Sequence, residues 1–156
     1  MCAQLLPDAR RVETGIVAVS GKLHLDGQVP QVTPRPILHG PTLILGPKGC
    51  FMFANAVDYE AETEEGTPYH DREQYVMWGF SAHDEALNLP TNPAVLSGQD
   101  AAAAMSALID DWHPALRWLV QTTDVSTVTA FTVKTAVPIQ PWPTQRVTLL
   151  GDAFTI

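Results

Sequence analysis

Proline and glycine set the outline of this chain before any other residue type is considered. Between Asp26 and Pro41 stand Gly27, Pro30, Pro34, Pro36, Gly40 and Pro41, which interrupt backbone donors so often that neither helix nor sheet ladder can run through the segment. It is expected to be a loop. A second break, Pro141-Trp142-Pro143, separates the last apolar run from what precedes it. With 13 prolines and 10 glycines in 156 residues, the uninterrupted stretches are short, and the chain reads as one loop-rich domain or part of a larger one.

The stretches between these breaks carry clear local signals. Arg11 to Leu25 is rich in β-branched residues and alternates at Lys22-Leu23-His24-Leu25, which predicts a long strand. Gly15 and Gly21 interrupt it, and glycine within a strand marks a bulge or a close backbone approach. Thr42-Leu43-Ile44-Leu45 and Cys50 to Val57 flank Gly46-Pro47-Lys48-Gly49, the form of a hairpin. Glu60 to Arg72 is acidic and is expected to be a solvated loop. Gln74 to Ser81 is aromatic and β-favouring. Ser97-Gly98-Gln99-Asp100 then opens an alanine-rich helix reaching Trp112, with Ser97 as N-cap and Asp100 as the acid of the first turn. Pro114 starts a second, shorter helix, Ala115 to Gln121, with Leu116, Leu119 and Val120 on one face. Val125 to Ile139 and Arg146 to Leu150 return to β-favouring sequence. Strands, two helices and further strands give an α+β arrangement: a mixed, largely antiparallel sheet with two helices packed on one side.

Composition excludes several functions. Lys and Arg number 9 against 17 Asp and Glu, a net charge of −8, and Arg10-Arg11 is the one basic pair, so nucleic acid is not an expected partner. Apolar runs such as Ile16 to Val19 fall well short of the roughly 20 residues of a membrane helix. The first residues lack the basic and apolar regions of a secretory signal, and the two cysteines, Cys2 and Cys50, form no CxxC pair, so a cytoplasmic location is expected. Among His24, His39, His70, His83 and His113 no two have zinc-pair spacing, HExxH is absent, and no metal site is expected. His70-Asp71 and His83-Asp84 are the only candidates for hydrolytic acid/base work, while GxSxG is missing. Neither GxGxxG nor GxxxxGK[ST] occurs. The tryptophans, Trp78, Trp112, Trp118 and Trp142, are read as core residues.

The end of the chain is different. In Arg146-Val147-Thr148-Leu149-Leu150-Gly151-Asp152-Ala153 an apolar strand stops in Gly-Asp, which puts a carboxylate where it can accept hydrogen bonds from a ribose and lets backbone approach through Gly151. The bland reading is that Asp152 only terminates a strand.

Leu5 to Gly15, Gly21-Lys22, Gly46-Pro47-Lys48-Gly49, Trp78-Gly79 and Arg146 to Ala153 together resemble the flavin-dependent aromatic hydroxylases, the para-hydroxybenzoate hydroxylase-like monooxygenases. The resemblance runs along nearly the whole chain, and its most specific motif is the terminal Gly-Asp. It implies FAD as cofactor, NAD(P)H as reductant, a small aromatic substrate, and a sheet that roofs that substrate against the flavin. Gly151, Asp152 and Ala153 are then cofactor-binding, with Asp152 on the ribose; no catalytic residue is assigned, because the cofactor carries the chemistry. The family's N-terminal GxGxxG region would lie before Met1, and Thr155 stands where the family has histidine. The resemblance therefore implies a middle fragment: residues 1–140 as the substrate-domain sheet and helices, and residues 141–156 as the stub of a missing Rossmann-like FAD domain. Such a chain is expected to be inactive alone and to associate with itself or with a separate FAD-domain chain. The rival reading is a non-enzymatic module that binds a small ligand or completes a partner.

Overall fold

A computed structural model describes residues 9–57 and 74–138. The acidic Glu60–Arg72 segment with His70, Cys2, Trp142, the boundary near residue 140, the strand expected at Arg146–Leu150, and Gly151, Asp152 and Ala153 lie outside the described residues.

Five strands make one sheet: β1 (Arg11–His24), β2 (Thr42–Leu45), β3 (Phe51–Val57), β4 (Tyr75–His83) and β5 (Thr129–Ala136). Their order is β2-β3-β4-β1-β5. Every pairing among them is antiparallel, so the described sheet is antiparallel rather than mixed. Tight connections allow this between β2 and β3. There Pro47–Gly49 forms a single 3-10 turn, and Lys48 and Gly49 take positive φ.

The segment expected to be a loop between Asp26 and Pro41 instead contains two one-turn helices, α1 (Val29–Val32) and α2 (Arg35–His39). Each has proline at its first or second position, where the missing N–H has no intrahelical partner to lose. Proline shortened these helices without forbidding them. They deliver Val29 and Ile37 to the core. A third short helix, α3 (Asp84–Leu87), follows β4 directly.

The two longer helices are α4 (Gly98–Leu108) and α5 (Pro114–Thr122). Ser97 caps α4 as expected: its Oγ accepts from the Asp100 N–H at 3.1 Å and donates to Asp100 Oδ2 at 2.6 Å. The helix stops at Leu108 rather than reaching Trp112, because Ile109 leaves helical geometry and turns its side chain into the core. In α5, Leu116, Leu119 and Val120 form the buried face.

All these helices feed one apolar cluster against one side of the sheet. Val17, Val19, Met52, Val76, Trp78 and Phe80 meet Met105, Ile109, Leu119 and Val120 in it. The two strand glycines differ in role. Gly15, at φ +74, sits where the β1–β5 register shifts between Glu13 and Val17, a bulge. Gly21 faces the core, where a Cβ would stand 2.8 Å from Thr123 Cγ2 and 2.9 Å from Trp78 Cζ2.

Candidate functional site

Because paired residues in an antiparallel ladder point to the same face, the register assigns every strand residue to one of two sides. The core side holds Val76, Trp78, Phe80 and Ala82 of β4. The opposite side has no described helix on it. Its rows run across the strands: Leu45, Phe51, Ser81, Ala18 and Phe131 in one; Leu43, Phe53, Gly79, Ser20 and Thr129 in the next; then Asn55, Met77 and Lys22; then Val57, Tyr75 and His24. This face is apolar toward β2 and β3 and carries hydroxyls toward β1 and β5.

Large side chains lie bare on it. Leu43, Leu45 and Phe131 are 69%, 85% and 51% exposed. A soluble sheet face normally carries polar residues, so an apolar one marks a surface that meets something else. Polar groups are few and local. The Ser20 and Thr129 hydroxyls lie 3.2 Å apart, and Lys22 Nζ sits 4.7 Å from the centre of the Tyr75 ring, a cation–π contact. Lys22 is the only Lys, Arg, Asp or Glu that the five strands place on this face.

Two concavities lie on the other side of the sheet. One, of about 240 Å³, is nearly all apolar and is walled by Pro34, Pro36, Ile37, Thr42, Ile44, His113 and Leu116. The other, of about 450 Å³, lies beside the β1 bulge and is walled by Glu13, Asp84, Glu85, Asn88 and Asn92 among others. Its carboxylates leave it without a complement for a phosphate.

The residues singled out from sequence are scattered. His83 ends β4 and is exposed; His113 caps α5, its Nδ1 accepting from the Ala115 N–H at 3.2 Å. Cys50 is buried and reduced. Burial pushes its thiol up from the ordinary value, with the Lys48 cation opposing, so it is a poor nucleophile at neutral pH. Among the described residues no three His, Cys, Asp or Glu groups converge as metal ligands. Trp78 and Trp112 are core residues, as expected: Trp78 is fully buried and Trp112 packs beside Phe80, ring centroids 5.7 Å apart. Trp118 is partly buried against the same core.

The open face was not singled out from sequence. Its signal was present in β4, where Tyr75-Val76-Met77-Trp78-Gly79-Phe80 is apolar at both alternations, the pattern of a strand covered on both sides.

Solved structures share this fold. One is a protein described as an FAD containing monooxygenase from Photorhabdus luminescens subsp. laumondii: TM-score 0.76, 22% identity, covering 97% of this chain and 40% of that one. Another is HpxO of Klebsiella pneumoniae, solved with FAD and uric acid: TM-score 0.64, 19% identity, covering 99% of this chain and 33% of that one. What these likenesses show is the fold, which occurs in both as a part of a longer protein.

Among curated proteins, the dual O-methyltransferase/FAD-dependent monooxygenase elcB of Phaeosphaeria nodorum is 26% identical over a 178-residue alignment, which takes in 96% of this chain. The chain spans 19% of that relative's length. No protein-family model matches the sequence. No helix among the described residues is long and apolar enough to cross a membrane.

Proposed function

We propose that this chain is part of an FAD-dependent monooxygenase and supplies the sheet that covers a small aromatic substrate against the flavin ring. The observation that carries this is the apolar sheet face without a described helix on it, half-buried at Phe53, Met77 and Gly79 and bare at Leu43, Leu45 and Phe131, in a fold shared with structures that contain FAD. A flat wall with few polar groups fits a planar ring system and excludes water from it. Among the described residues nothing resembles a phosphate cradle. The family resemblance gives the ribose contact to Asp152 and the close backbone approach to Gly151, with Ala153 beside them.

When bound, FAD would pass electrons from NAD(P)H to oxygen, so that one oxygen atom enters the substrate as a hydroxyl and the other leaves as water. This chain's residues orient the ring and keep it dry. GxGxxG does not occur in these 156 residues, and in this reading an FAD-domain chain or segment completes the site. A non-enzymatic, partner-completing role is favoured by one observation, the exposed edge strand β2 with Leu43 and Leu45 bare.

The test is a flavin titration of the purified chain, read by quenching of FAD fluorescence, with Asp152→Ala alongside. Binding that weakens about tenfold or more in the variant, the cost of a charge-assisted hydrogen bond, supports the assignment. Equal binding by both proteins removes Asp152 from the cofactor site, and no binding moves FAD to a partner.

A further inference from the structure

We infer that the outer edge of β2 is a pairing site for a second copy of this chain, the two β2 strands joining antiparallel about Ile44 so that two sheets become one. β2 stands at the end of the strand order, beside β3. The Gly46 N–H donates to the Cys50 carbonyl at 2.8 Å, and this pair continues the register of Ile44 with Met52 and Thr42 with Ala54. Bonded and non-bonded pairs alternate along an antiparallel ladder, so Thr42 and Ile44 spend their backbone groups on β3. Leu43 and Leu45 turn theirs outward. The same two residues carry the exposed large side chains of the strand, because side-chain direction shares the period of two.

The opposite edge shows the contrast. There the Val137 N–H donates to the Arg10 carbonyl, continuing the register of Arg11 with Ala136 and Glu13 with Lys134, so Lys134 is among the residues of β5 that face outward. A lysine in that position opposes a further strand. From Gly40 to Pro47 there is no charged residue, so two copies of a chain of net charge −8 can meet at β2 without like charges opposed. The strand also fits itself. With Ile44 facing Ile44 of the second copy, Leu43 faces Leu45 and Leu45 faces Leu43, and each of these pairs can exchange two backbone hydrogen bonds. Pro41 and Pro47, the next outward positions, have no N–H, which bounds the ladder symmetrically about Ile44. On the helical side, Thr42 and Ile44 wall the apolar concavity of about 240 Å³ together with Pro34, Pro36, Ile37 and Leu116. Facing residues of a non-bonded pair stand about 4.5 Å apart at Cα, which brings Ile44 of the second copy beside that concavity and gives its side chain an apolar seat. The leucines of both copies meet on the other side. A strand of four residues covers less than the roughly 800 Å² per partner of a standard interface, so the pair is a weak one, micromolar or above.

The experiment uses the whole chain from about 1 μM to 1 mM. Sedimentation velocity is expected to show a monomer–dimer equilibrium, and amide hydrogen exchange at Leu43 and Leu45 is expected to slow as concentration rises while exchange at Lys134 stays constant. Leu43→Pro removes an outward N–H from each copy and leaves the bonds of Thr42 and Ile44 to β3 in place. Proline is tolerated at such a position of an edge strand, so far-ultraviolet circular dichroism is expected to be unchanged and the dimer about tenfold weaker or more. Should that variant fail to fold, the exchange rates of the native chain decide. A chain that stays monomeric over the whole range, exchange at Leu43 and Leu45 that is slow at every concentration, or association that a folded Leu43→Pro leaves unchanged would each overturn the inference. Pairing at this edge leaves Phe53, Met77 and Gly79 uncovered, so the flavin titration tests the proposed function separately.

Discussion

At the residue scale, Thr123 does the most with one atom. It is buried, and its Oγ1 accepts from the Trp78 indole N–H at 2.7 Å and donates to the Leu119 carbonyl at 2.7 Å. One hydroxyl thereby satisfies the only polar group of the largest core side chain and ties the end of α5 to β4. Thr123→Val keeps the volume but orphans the indole N–H. The expected loss is about 1–3 kcal/mol, measured by urea unfolding followed through tryptophan fluorescence. An unchanged midpoint would mean the indole finds another acceptor. Gly21 belongs to the same contact. A methyl placed there meets Trp78 and Thr123 at 2.9 and 2.8 Å, so Gly21→Ala is expected to cost about 1–3 kcal/mol by overpacking.

At the element scale, α4 depends on its first turn. Ser97 and Asp100 exchange two hydrogen bonds, and the core uses Ala101, Ala102 and Met105 of this helix. Ser97→Ala is expected to lower stability by about 0.5–2 kcal/mol, seen as a lower denaturant midpoint with an unchanged slope. Beside it, the turn at Val125–Thr127 staples β5 to the end of β1. Thr127 Oγ1 accepts from the Lys22 N–H at 2.9 Å and donates to the Asp124 carbonyl at 2.7 Å. These elements were legible because their causes are local: a cap, a run of alanine, a hairpin turn. The helices α1 and α2 were not, because proline density argues for a break yet is compatible with a first helical turn.

At the scale of the whole molecule, the described residues have one core and one bare face. Burial on one side stabilises the sheet; exposure on the other invites association. Leu45, 85% exposed on the edge strand β2, is the natural point of contact. The chain is expected to self-associate with rising concentration, and Leu45→Lys is expected to shift it toward monomer in sedimentation velocity while leaving far-ultraviolet circular dichroism unchanged. A native chain that stays monomeric at high concentration would show that the face is covered within the chain.

By itself the sequence determined the α+β class, the five described strands and the turn between β2 and β3, the two longer helices with their cap and buried faces, and a resemblance to flavin-dependent hydroxylases. Each of these follows from neighbours a few residues apart or from a motif read in order. Only the tertiary structure decided that β1 lies between β4 and β5, and that Trp78 and Gly21 face the helices while Gly79 faces away from them. A strand with apolar residues at both alternations specifies two faces but not which one the helices cover. That choice is made by pairing across long stretches of chain, as where Ser20 meets both Gly79 and Thr129.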